Sequence, residues 1–102
     1  MLDISDLVAT YRSVLKESEP LAPPEEQRLY SHHSEELARL SSLLDARAPS
    51  ADIAAVVAGE RRAFGWAFLS GEHGARVEHA FHLLASALEA LHSPTRAGNN
   101  GV

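Results

Sequence analysis

Six histidines and fourteen acidic side chains in 102 residues are the raw material of acid–base and metal chemistry. A di-metal carboxylate bundle needs a Glu from each of two helices and Glu-x-x-His from each of the other two. Only Glu89-Ala-Leu-His92 has that spacing. Its neighbours Leu88 and Leu91 define the core side of their helix, so Glu89 faces outward and His92 only flanks the apolar stripe. Glu78, His79 and His82 share an outward face too, and one face of one helix cannot enclose a metal. No serine sits in a Gly-x-Ser-x-Gly elbow. These groups read as solvated helix faces, with no metal, no cofactor and no catalytic residue expected.

Two polar residues break that pattern. His33 lies inside an apolar stripe, between Leu29 and Leu37. A histidine there is expected to be a neutral core residue bonded to a carbonyl or to Tyr11 or Tyr30. The sharper alternative is a pH-sensitive interface contact. Glu60 lies at the edge of another apolar face, near Phe64, with Arg61 at the opposite edge. A partly buried glutamate must pair, bond or stay protonated, and an ion pair to another helix is expected.

Binding chemistry centres on residues 50–70. One face carries Ile53, Val57, Phe64 and Phe68 at helical spacing. The opposite face is apolar as well. There Trp66, the sole tryptophan, is grouped with Arg62, Leu69 and a shelf of small residues at Ala55 and Gly59. Tryptophan and arginine are the types most enriched at interface hot spots, and a small-residue shelf lets another helix approach. The candidate partner-binding residues are therefore Trp66, Arg62, Leu69, Gly59 and Ala55. The competing reading has helices of the same chain covering this face.

The elements that must position these groups are helices. The first is expected over residues 3–18, capped by Asp3, with Ile4, Leu7, Val8, Tyr11, Val14 and Leu15 in one stripe. Prolines 20, 23 and 24 break it. The second runs from Pro24 to about Ala46, with Glu25 and Glu26 in its first turn. Pro49 ends that run, and Ser50 is the expected cap of the third, which extends to Ser70. Gly59 and Gly65 are read as places where a neighbouring backbone comes close. Gly71 to Gly74 form the last break. The fourth helix starts at Glu72 or Ala75 and ends at His92, with a stripe of Val77, Ala80, Phe81, Leu84, Leu88 and Leu91. Residues 94–102 make a polar tail expected to be mobile. A single all-α domain over residues 1–93 follows, a small antiparallel bundle of about four helices.

Composition narrows the function classes. The chain has no cysteine, hence no disulfide framework or thiolate metal site. The opening MLDISDL has no signal-peptide pattern, and no apolar run reaches the roughly 18–20 residues of a membrane span. A cytoplasmic setting is expected. The net charge of −5 disfavours nucleic acid and anionic membranes and suits a basic protein partner. The leading expectation is a non-enzymatic interaction protein. Immunity proteins and antitoxins that neutralise a basic toxin domain have this physical description, and opposite charge speeds such encounters. The second is a self-associating, homodimeric bundle joined at the Trp66 face, in a structural or adaptor role. An enzyme or metal carrier using the histidines and glutamates ranks third.

Overall fold

The structure is a computed structural model that describes residues 3–66 and 69–91. Among these are helices α1 (Ile4–Ser18), α2 (Pro24–Asp45), α3 (Ser50–Trp66) and α4 (Gly71–Leu91), with a 3₁₀ turn at Glu19–Leu21 between the first two. The expected contributions of Phe68, His92 and the 94–102 tail, and the reading of the first two residues, fall outside the described residues.

Cross-helix contacts fix the directions. Tyr11 meets Phe81, and Glu17 meets Arg76, so α1 and α4 run antiparallel. Arg12 reaches Ser41 between α1 and α2; His33 reaches Glu60 between α2 and α3; Arg61 reaches Glu89 between α3 and α4. Phe64 on Phe81 beside Arg61–Glu89 makes α3 and α4 antiparallel, and Glu26–Ser70 beside His33–Glu60 does the same for α2 and α3. The short 19–23 connection turns α2 back along α1. The result is an up-down bundle whose first and last helices pack most extensively.

The apolar stripes close inward as their spacing requires. Leu7, Val8, Tyr11, Val14 and Leu15 from α1 meet Val77, Ala80, Phe81, Leu84 and Leu88 from α4, all buried. Tyr30, Leu37 and Leu40 of α2 and Ile53, Val56, Val57 and Phe64 of α3 complete the core. No described helix is long and apolar enough to cross a membrane.

Four local expectations need correction. Asp3 occupies the position before α1, but its side chain makes no cap bond; the backbone carbonyl alone accepts from Leu7. Ser50 is the first residue of α3 rather than its cap, because the Pro49 carbonyl takes the amides of Asp52 and Ile53. Gly59 and Gly65 admit no neighbouring backbone: a Cβ on Gly59 would meet only the Arg62 guanidinium at 4.0 Å, and one on Gly65 would meet nothing. The Gly71–Gly74 segment does not break the chain but forms the first turn of α4. Gly71 opens it at φ 79, and Gly74 is needed because a Cβ there would lie 2.4 Å from the Leu69 carbonyl oxygen.

Candidate functional site

The outer face of α3 carries the candidate surface. Residues 53, 56, 57, 60 and 64 cover one side of that helix and point into the bundle. The opposite side carries Ala51, Ala55, Ala58, Arg62, Gly65 and Trp66, and all six are exposed. Gly59 is half-buried beside them. Trp66 is 88% exposed, so no other described helix covers it. A large aromatic left in water forgoes a burial worth about 1.5–3 kcal/mol or more. Arg62 lies one turn before it, with no described acid within ion-pair distance, and the alanines form a flat lane leading up to both.

Leu69 does not belong to this surface. It is 5% exposed and packs its backbone against Gly74. Among the described residues α3 runs to Trp66, and residue 69 lies outside any helix, so helical spacing does not place it beside residue 66. Of the five residues predicted to line one face, Trp66, Arg62, Ala55 and Gly59 share it, and Leu69 anchors the following turn instead.

That turn is fastened from α2. The Glu26 carboxylate accepts from the Ser70 amide at 2.9 Å and from the Ser70 hydroxyl at 2.7 Å. The hydroxyl bond first, then the amide bond, hold this carboxyl below the ordinary glutamate value. Glu26 thereby fixes the segment just past Trp66 to the start of α2.

The two polar residues inside apolar stripes find each other. His33, 1% exposed, places Nδ1 at 2.8 Å from Glu60 Oε2. A carboxylate only accepts, so Nδ1 carries the proton between them. The other oxygen, Oε1, stands 3.4 Å from His32 Nε2 at the surface. The expected inter-helix pair at Glu60 is present, and its partner is histidine. The expected bond from His33 to a tyrosine or carbonyl is absent: the Tyr11 and Tyr30 hydroxyls and His33 Nε2 are all buried without a hydrogen-bond partner. Burial first, and the Glu60 charge second, push the Tyr11 phenol far above its usual range.

The His33 ring stacks on Phe64 at 4.2 Å with planes 2° apart, and Phe64 stacks on Phe81 at 4.7 Å. Beside the pair lies a cavity of about 10 Å³ bounded by Tyr11, Glu60, Phe81 and Leu88. Small-molecule sites run to roughly 300–1,000 Å³, so this cavity admits no substrate. The geometry locks α2 to α3.

The outward histidines and acids behave as surface groups. Arg61 grips Glu89 along one guanidinium edge, donating from Nε at 2.7 Å and from Nη2 at 2.8 Å, and His82 stands 3.4 Å from Glu78 on the same helix. The Arg61 bonds hold the Glu89 carboxyl below its ordinary value. Among the described residues no group of three or more His, Asp or Glu side chains is placed to hold a metal ion.

Compared with known protein families, with curated proteins and with solved structures, the chain matches none.

Proposed function

We propose that this chain is a small acidic interaction domain without catalysis of its own, which docks another protein on the outer face of α3. The observation that carries this reading is the 88% exposure of Trp66 at the end of a lane of exposed small residues. Burying that indole against a partner recovers apolar contact the fold itself leaves unused, and Arg62 supplies a directional charged donor one turn away. The net charge of −5 favours a basic partner. A toxin domain neutralised by an immunity- or antitoxin-type protein is the partner class of that description, met in the cytoplasm.

The second reading is a homodimer through the same face. The alanine lane is flat enough for two α3 helices to cross, and Trp66 of one copy would then cover small residues of the other. One experiment separates the two. Trp66→Ala should leave the unfolding free energy within about 0.5 kcal/mol of the parent, as exposed positions do. It should abolish co-purification of a stoichiometric partner from the source cell. A dimer that becomes a monomer in the variant, with no partner in either sample, would move the assignment to self-association. A fall in stability of about 3–5 kcal/mol would instead make Trp66 a core residue and end both readings.

A further inference from the structure

The end of the bundle remote from Trp66 carries a second feature. There the start of α1, the end of α2, the start of α3 and the end of α4 converge around a concavity of about 650 Å³. That volume is in the range of small-ligand sites, roughly 300–1,000 Å³. Its apolar lining is Ile4, Val8, Leu44, Ile53 and Leu91, with Ala48. These side chains are aliphatic throughout, so they favour a flexible hydrocarbon chain over an aromatic ring.

The rest of the lining is polar, with two serines, Ser5 and Ser41, and more cations than acids. Arg12 and Arg47 both border the concavity, against the single acid Asp45, in a chain whose net charge is −5. Neither arginine has an ion-pair partner among the described residues. Arg12 is held across the α1–α2 seam by a 3.4 Å bond to the Ser41 hydroxyl, which also lines the concavity.

Arg47 carries an independent mark. It follows α2 at φ 55, and it is the one described residue other than glycine with a positive φ. The Ala48 amide bonds the Leu43 carbonyl and the Arg47 amide bonds the Leu44 carbonyl. This is the helix-ending motif in which glycine is the usual occupant, because glycine takes the left-handed conformation without steric cost. The chain instead holds an arginine there in strained backbone, at the border of the concavity. Strain kept at a position that a smaller residue would relieve points to a use for the side chain.

From this arrangement we infer that the concavity binds a small amphipathic carboxylate, with an aliphatic chain against Ile4, Val8, Leu44, Ile53 and Leu91 and its anionic head between Arg12 and Arg47. A guanidinium presents a planar fork of donors that matches a carboxylate. The site is separate from the α3 face and does not depend on that face binding a protein.

Calorimetric titration of the full chain with decanoate, below its micelle concentration, tests this. The expected result is one decanoate per chain, with decanol, which keeps the chain and lacks the charge, binding about tenfold more weakly or worse. Arg47→Gly is the decisive variant. It should raise the melting temperature by removing the strain, and it should weaken decanoate about tenfold while leaving decanol unchanged. Arg12→Gln should weaken decanoate similarly. Equal binding of acid and alcohol would overturn the site, as would an Arg47→Gly variant that gains stability without losing decanoate. Absence of binding, together with a dimer that Leu91→Glu dissociates, would give the concavity to a second copy of the chain.

Discussion

Glu60 is held between two imidazoles, at 2.8 Å from His33 and 3.4 Å from His32, while its side chain is nearly inaccessible to water. Its removal should therefore cost far more than an exposed ion pair would. Glu60→Ala leaves the buried His33 Nδ1 without its partner, and orphaning a buried polar group costs about 1–3 kcal/mol on top of the lost packing. Replacing both, as His33→Leu with Glu60→Met, removes the desolvation penalty together with the pair and should recover most of that loss. Urea unfolding of the two variants checks the contrast. A double variant no more stable than Glu60→Ala would mean that packing, not pairing, sets the cost. Both residues were legible as exceptions in the sequence, each a polar side chain inside an apolar stripe. Their pairing was not read, although the connection at residues 46–49 folds α2 back on α3. Antiparallel counting from that turn sets position 33 opposite about position 62, within one helical turn of Glu60.

The extent of α3 shows what helical spacing reads and where it stops. Periodicity correctly separated its inward residues from Ala55, Arg62 and Trp66, because every residue of a helix takes its direction from the same 3.6-residue repeat. It carried the repeat on to Leu69, which lies outside the helix. What holds that segment is tertiary. Leu69 seats on Gly74, and Glu26 of α2 captures Ser70. This clasp has a pH signature. Bonds that favour the ionised Glu26 depress its folded value below 4.5, so its contribution is fully present above the unfolded value and is lost as pH falls through the depressed one. The Ser70 amide resonance should therefore titrate with an acidic midpoint below 4.5 and should cease to titrate in Glu26→Gln. A midpoint at or above 4.5 would break the assignment. The Glu89 carboxyl, gripped by Arg61, loses its contribution in the same direction, but that pair is exposed and worth at most about 1 kcal/mol.

Across the whole molecule the four stripes converge on one aromatic series. His33 of α2 stacks on Phe64 of α3, Phe64 on Phe81 of α4, and Phe81 tilts against Tyr11 of α1 at 5.9 Å. Every helix contributes one ring, so the series ties together all four walls of the bundle. The antiparallel alternation of the helices followed from the proline breaks and the short connections, whereas the convergence depends on how far each helix slides along its neighbours, which no single stripe encodes. Phe81 lies at the centre, with rings on both sides and 3% of its surface exposed. Phe81→Ala should lower stability by about 3–5 kcal/mol, and Leu88→Ala, about two turns along α4 from Phe81 at 1% exposure, by about 2–5 kcal/mol. Phe81→Leu distinguishes ring stacking from simple filling. It keeps an apolar side chain in place and loses the ring contacts with Phe64, Tyr11 and His82 and the Arg61 guanidinium over the ring face. The Phe64 and Tyr11 contacts alone, at about 0.5–1.5 kcal/mol each beyond burial, make a loss of at least about 1–3 kcal/mol the expected result. If Phe81→Leu is neutral while Phe81→Ala is costly, the site needs volume alone, and the stacking is a consequence of packing rather than a source of stability. If Phe81→Ala is itself neutral in urea unfolding, the seam between α1 and α4 is not the core.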